Sequence, residues 1–276
     1  MILIVASEKD VASRNIAQKI IEGYNFEGLS ETFMNHSVYC KNLGGKEIRL
    51  VTIEDEPIFA QYIPYFFKTE LIIFVSRHES RSGIPTLSVH TPGNLVSAEF
   101  GGLPRSVSIS PANSMRRVLL EMVIQKEKLG LDDFNVSYEC THHGPSLDVP
   151  AMFVEVGSSL REWENPKAGE AVAHAAIASI INESIVPAVL GIGGPHYNQR
   201  FTEISLEHNV AFGHIIPKYV LQNLDSEILR HCIERTVEKV QTGVLDWKGI
   251  GSKDRGRVIG ILKENHLEIR KTKDFH

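Results

Sequence analysis

Short apolar runs recur along this chain, and each is closed by a polar turn. Residues 2–6, 70–75 and 151–156 are nearly continuous in apolar side chains over the length of a strand, which predicts strands covered on both faces. Residues 84–90 alternate, and 136–140, 186–190 and 209–212 are shorter runs of the same character. Between them the spacing predicts helices: after Ser7 to Gly23, over 57–68, from Ser110-Pro111 to Gly130, from Asn165-Pro166 to about 184, over 201–207, and from Asp225 to about 241. Ser7 reads as the cap of the first helix, with Asp10 in its first turn. Asn42-Leu43-Gly44-Gly45 joins strands 36–41 and 47–53 as a hairpin. Strands alternating with helices give an α/β protein of three layers, a mixed, mostly parallel sheet between helices.

The end of the chain differs. Trp247-Lys248-Gly249-Ile250-Gly251-Ser252-Lys253, with Arg255 and Arg257, is rich in glycine and basic residues. It sets off 244–276 as a candidate small basic C-terminal lobe, packed on a single domain spanning 1–276.

Composition narrows the function classes. A formal net charge of −5 rules out a globally basic surface, so a nucleic-acid partner must be met by a local patch. Cys40, Cys140 and Cys232 are far apart with no C-x-x-C, which argues against a disulfide framework or a thiolate zinc knuckle. Residues 1–6 are too short for a signal segment, and no apolar run approaches the ~18 residues of a membrane span. The expected setting is a reducing cytoplasm, with no membrane and no obligate protein partner.

Histidine is the outlier, at 12 residues. Five polar clusters that follow predicted strands carry one or two: Ser76-Arg77-His78-Glu79-Ser80, His90-Thr91-Pro92-Gly93-Asn94, Thr141-His142-His143-Gly144-Pro145, Gly191-Ile192-Gly193-Gly194-Pro195-His196-Tyr197 and Gly213-His214-Ile215. Ligands collect at the C-terminal edge of open α/β sheets, so sequence-distant segments can share one crevice there. Imidazoles suit a zinc site of one or two ions, with His90, His142, His196 and His214 as candidate ligands. His78, His143 and Glu155 are then candidates to move protons for a metal-activated water. The blander alternative is hydrogen-bonded loop histidines. It holds for any one of them taken singly, and the repeated position argues against it for the group. Adjacent strand residues face opposite ways, so His142 and His143 both reach one ion only if the turn has already begun.

Gly193 and Gly194 would let backbone N–H groups approach an oxyanion, or simply make a tight turn. Arg77, Arg105, Arg200 and Lys218, with Lys248 and Lys253 of the tail, are candidate phosphate contacts, or a solvated face. His174, on a helix among alanines, reads as packing, and His276 as solvated. No Walker A, G-x-S-x-G or thiol motif is present, which leaves Ser80 or Ser82 as weak nucleophile candidates.

Taken in order, these segments resemble the archaeal and plant type of D-aminoacyl-tRNA deacylase. The likeness rests on 76–80 with Ser82-Gly83-Ile84-Pro85, on Val89-His90-Thr91-Pro92-Gly93-Asn94, on Thr141 to Pro145, on 191–197 with Arg200-Phe201-Thr202, and on Gly213-His214-Ile215 with Pro217-Lys218-Tyr219. It runs from Met1 to the basic tail. The resemblance implies hydrolysis of the ester between a D-amino acid and the terminal ribose of tRNA. It also implies an association with zinc and a fold like peptidyl-tRNA hydrolases and purine phosphorylases. An aminoacyl ester needs a positioned water and a stabilised oxyanion, and chirality must be read by shape. Stiff turns such as Gly144-Pro145 suit that role. A metallopeptidase or amidohydrolase on a similar fold, and a non-catalytic tRNA- or metal-binding module, are the alternatives.

Overall fold

The computed structural model describes residues 1–81 and 83–275, so Ser82 and His276 lie outside the described residues. The elements in order are β1 (Ile2–Ser7), α1 (Val11–Tyr24), β2 (Glu27–Phe33), β3 (His36–Leu43), β4 (Lys46–Ile53), α2 (Ile63–Phe66), β5 (Leu71–Glu79), β6 (Thr86–His90), β7 (Gly93–Asn94), β8 (Ser106–Val107), α3 (Ala112–Leu129), β9 (Asn135–Tyr138) and β10 (Ala151–Ser158). Then come α4 (Leu160–Trp163), α5 (Pro166–Ile181), β11 (Ala188–Ile192), α6 (Gln199–Glu207), β12 (Ala211–Ile216), α7 (Ser226–Glu234), β13 (Val240–Leu245), α8 (Ser252–Glu264) and β14 (Glu268–Lys271).

Among the described residues, the main sheet has eight strands in the order β2-β3-β4-β1-β5-β10-β6-β9. Strands β4, β1, β5 and β10 run parallel, whereas β6 is antiparallel to β10. A second sheet, β12-β11-β13-β14, is parallel throughout. The expected α/β architecture is present: a mixed, mostly parallel sheet flanked by helices. Among the described residues no helix is long and apolar enough to cross a membrane.

Period-two alternation gives the main sheet two unlike faces. One face presents Ile4, Ile73, Val75, Val154, Val156, Leu87 and Val89 and is sealed by α1, α3 and α5. The other begins with Leu3, Val5, Ile72, Phe74 and Phe153, packed against Ala60 and Ile63. On that second face the register then sets Ser76 beside Glu155 and His78 beside Gly157, with Phe153 opposite His90.

Several expected boundaries shift for identifiable reasons. Ser7 is still strand, paired with Ile53, and its hydroxyl donates to Asp55 O at 2.7 Å. The cap of α1 is instead Asp10, whose Oδ1 accepts from Ser13 N at 3.0 Å. The helix expected over 57–68 is broken into a 3-10 turn, Pro57–Phe59, that opens at Pro57, and the single turn of α2, with Pro64 in its first turn. Pro111 offers no side-chain cap to α3, and the Glu238 carboxylate accepts from Ala112 N and Asn113 N at 3.1 and 2.9 Å. Helix α7 stops at Glu234 because 240–245 form β13. The glycine-rich tail holds α8, which buries Val258, Ile261 and Leu262. With β13 and β14 it completes a second unit whose sheet begins at Ala188, well before residue 244.

Asp10 does more than cap. Its Oδ2 accepts from Arg77 N at 2.8 Å, tying the start of α1 to the strand end that carries His78. Burial raises its pKa against the lowering effect of the Arg77 and Ser13 N–H groups. Asp10→Ala removes the cap and leaves a buried N–H unpaired. It is expected to cost about 1–3 kcal/mol in urea unfolding, and a loss below about 0.5 kcal/mol would show the tie to be dispensable.

Candidate active site

Two carboxylates stand where the apolar pattern calls for hydrophobic side chains. Glu155 lies in the middle of β10, and Glu139 follows β9 directly; both are buried. Ser76 Oγ donates to Glu155 Oε1 at 2.6 Å. His78 Nδ1 lies 3.0 Å from Glu139 Oε2 and 3.5 Å from Glu155 Oε2, so one ring bridges the two acids. His196 Nε2 reaches Glu139 Oε2 at 2.8 Å. Burial disfavours charge on both rings, but Glu139 and Glu155 outweigh it at His78, raised to about 10, and Cys140 together with Glu139 outweighs it at His196, raised to about 11. Burial likewise pushes both carboxyls up. His78 and His196 reverse that at Glu139, holding it well below its ordinary value, and His78 with His90 takes Glu155 to about 2.

A second group of rings is neutral. His142 Nδ1 donates to Cys140 O at 2.8 Å, and His143 Nδ1 donates to Gly144 O at 2.7 Å. With the proton fixed on Nδ1, each ring keeps Nε2 as its lone-pair nitrogen. Burial and neighbouring histidines push His142 far below its ordinary pKa and His143 to about 4. His90 stacks on Phe153 with ring centroids 5.2 Å apart, and neither of its nitrogens has a hydrogen-bond partner. Glu139 Oε1 and Glu155 Oε2 are also without one, although Glu155 Oε2 lies 3.5 Å from both His78 Nδ1 and His90 Nε2. The adjacency problem of His142 and His143 is solved by the backbone: His143 has φ 41°, so the strand has already turned and the two rings sit 4.2 Å apart.

Three overlapping sets of these side chains have donor atoms within 4.8 Å of one another: His78, Glu139, His142 and His196; His90, His142 and His143; and His90, Glu139 and Glu155. His78, His142, His143, His196 and Glu155 form the floor of a pocket of about 790 Å³, walled by Ile58, Phe100, Arg77, Tyr197 and Tyr219 among others, while His90 and Glu139 are buried and do not line it. That volume suits a small molecule or the end of a larger one.

The structure brings His78, His90, His142, His143, His196 and Glu155 together and leaves His214 out. His214 is fully buried: Nε2 donates to Arg235 O at 3.0 Å and Nδ1 accepts from Thr141 Oγ1 at 3.0 Å. Both nitrogens are used, so it braces the strand end beneath His142 rather than offering a lone pair. The meeting place also differs from the edge expected. Because β6 runs antiparallel to β10, His90 arrives from the opposite direction, and the cluster gathers over the sheet face at Glu155.

Of the residues expected to touch substrate, Arg77 lines the pocket, with its guanidinium 3.0 Å from Glu56. Gly144, Gly193, Gly194, Arg200, Lys218, Lys248 and Lys253 do not line it. Gly193 N already donates to Ile216 O at 2.8 Å, so it is spent on the second sheet and cannot serve an oxyanion. Arg200 is half-exposed, 3.9 Å from Asp246. Lys218, Lys248 and Lys253 are exposed. Arg105 pairs with Asp225 at 2.9 Å. A side chain on Gly144 would meet the backbone of Gly101 and Gly102 at 2.2–2.3 Å, so substitution there tests packing rather than chirality. Ser80 lines the pocket; Ser82 is outside the described residues. Sequence reasoning passed over Glu139. The available signal was a carboxylate at the end of a short predicted strand, three residues before the paired histidines.

A sequence profile described as D-aminoacyl-tRNA deacylase matches residues 65–270. The chain belongs to the D-aminoacyl-tRNA deacylase family. It is 36% identical over 283 residues to the D-aminoacyl-tRNA deacylase of Pyrococcus furiosus, covering 99% of this chain and 100% of that one. To the protein of the same name from Methanosarcina acetivorans it is 34% identical over 282 residues, covering 99% and 93%. A solved structure described as a conserved protein of unknown function, AF0625, superposes with a TM-score of 0.89 at 30% identity, covering 100% of this chain and 96% of that one. The family's proteins carry the name of an ester hydrolase, and the buried cluster described above lies within the matched residues.

The bracing assignment predicts that His214→Ala lowers stability by about 1–3 kcal/mol, since the Thr141 hydroxyl and the Arg235 carbonyl lose their partner. Metal content after dialysis against zinc is expected to match the wild type. A fall in bound metal with unchanged stability would return His214 to the ligand set.

Proposed function

We propose that this protein hydrolyses the ester joining a D-amino acid to the terminal ribose of tRNA, acting in the cytoplasm as part of translation quality control. The observation that carries the reading is the pocket floor, where lone-pair nitrogens and unbonded carboxylate oxygens converge in a chain of this family. That donor set also fits zinc: the buried His90 nitrogens lack partners, and His142 and His143 have their Nδ1 protons fixed on carbonyls as ligating histidines do. We infer an ion held by His90, His142 and His143, with His78 and His196, protonated rings held against Glu139, standing beside it. A bound zinc would acidify water and polarise the ester carbonyl.

The chain's own residues supply the remainder. Glu155, with Oε1 fixed by Ser76, presents Oε2, 3.5 Å from the rings of His78 and His90, as the carboxylate oxygen to take a proton from the attacking water. His78, kept protonated between two acids, is the group able to return a proton to the leaving ribose oxygen. Apolar walls at Ile58, Phe100 and Phe153 exclude water and shape the space beside the ester. Lys218, Lys248, Lys253 and Arg200 are exposed cations available to the tRNA backbone.

The deciding experiment is deacylation of D- and L-tyrosyl-tRNA by the full chain, with and without chelator, beside Glu155→Gln. The expected result is hydrolysis of the D form alone, abolished by chelator, restored by zinc, and slowed in the variant by about 100–10,000-fold. Intact D-tyrosyl-tRNA would overturn the reading. Equal cleavage of a free D-tyrosine ester would point to a general esterase or peptidase. For the tRNA surface, Lys248→Ala with Lys253→Ala should flatten the slope of log affinity against log salt by about one unit per lost phosphate contact. An unchanged slope would remove both lysines from the interface.

A further inference from the structure

His142 and His143 owe their orientation to backbone carbonyls at Nδ1, and His196 has no carbonyl there. Its Nδ1 instead lies 3.4 Å from the sulfur of Cys140. Cys140 Sγ in turn lies 3.2 Å from the phenol oxygen of Tyr219. Cys140 is completely buried, whereas Tyr219 is 54% exposed and forms part of the pocket wall. The two backbones are already locked, because Cys140 N donates to His196 O at 2.9 Å and Asn198 N donates to Tyr138 O at 2.9 Å. What the backbone leaves open is the ring. A half-turn about its Cβ–Cγ bond exchanges nitrogen and carbon positions at nearly equal volume, and two partners tell the orientations apart: Glu139 at Nε2 and Cys140 at Nδ1.

We propose that Cys140, itself steadied by Tyr219, is the positioning residue of His196, its sulfur accepting Nδ1–H so that Nε2 is turned onto Glu139 and the pocket floor. The thiol replaces the carbonyl or carboxylate that usually orients such a ring. Tyr219 couples that buried contact to the wall along which substrate enters. The inference rests on reading His196 as part of the catalytic floor.

The test compares Cys140→Ala, Cys140→Ser and Tyr219→Phe in the full chain. Three measurements are made: urea unfolding, steady-state deacylation of D-tyrosyl-tRNA, and imidazole proton–nitrogen NMR of metal-free protein. In Cys140→Ala, kcat is expected to fall by about 10–100-fold with KM within about twofold. The His196 Nδ1–H resonance is expected to be lost while the unfolding curve is kept. Cys140→Ser restores the acceptor and should recover both, and Tyr219→Phe should fall between. A Cys140→Ala protein with wild-type kcat and an unchanged Nδ1–H signal overturns the assignment. So does a Cys140→Ser protein as impaired as the alanine variant, since hydrogen bonding would then not be the cause. Should the wild type leave D-tyrosyl-tRNA intact, the functional reading fails, and the NMR comparison still decides the positioning role.

Discussion

The burial of two carboxylates on one face of an otherwise apolar sheet is the constraint that organises the site. Taking a carboxylate out of water costs several kcal/mol even after the protein relaxes. At Glu139 and Glu155 that cost is met locally by His78, shared between them, by His196 on Glu139 and by the Ser76 hydroxyl on Glu155. The compensation is incomplete: Glu139 Oε1 and His90 Nδ1 stay unbonded, and Glu155 Oε2 has only the long 3.5 Å contacts of His78 and His90. Residual polarity of this kind at a pocket floor stabilises whatever cation, water or polar ligand group enters. The fold tolerates it because the opposite face of the same strands is sealed by three helices.

Strand alternation places these groups before any loop does. Ser76 and His78 on β5, Glu155 on β10 and His90 on β6 share a face because each lies an even number of residues from its neighbour in register. A one-residue slip in any of these strands would send its polar group into the helix-packed core. The hydrophobic pairing of Phe74 with Phe153, stacked at 4.8 Å, therefore also sets the catalytic register.

Much of this was legible from the chain alone, and the failures have specific causes. Apolar runs marked the buried parallel strands, and the paired histidines marked the turn. The direction of β6 was not legible, because an alternating run looks the same in either orientation. That ambiguity is why an edge was expected where the structure gathers its histidines over a face. His214 misled for a related reason: position at a strand end is shared by ligands and braces, and only the partners of its two nitrogens separate them. Glu139 was passed over because one carboxylate in a short polar-tinged strand reads as a solvent-facing residue. Helix α8 was hidden by Gly256 and Gly260, which lower helix propensity but sit where no neighbour needs a side chain.

The position of the paired histidines depends finally on a glycine outside the cluster. His143 adopts a left-handed backbone that a non-glycine residue enters only under constraint. The constraint is Gly93, whose N–H is 3.2 Å from His142 O and 2.6 Å from His143 O. Gly93 can approach that closely because β7 presses against β8: a Cβ there would meet Val107 Cα at 2.4 Å. A two-residue ribbon with no chemistry of its own thus fixes the turn that lets adjacent residues face one point. From below, Thr141 is held by His214 of the second sheet. The histidine pair is therefore set by packing from two directions, and its lone pairs converge because the backbone beneath them is fixed.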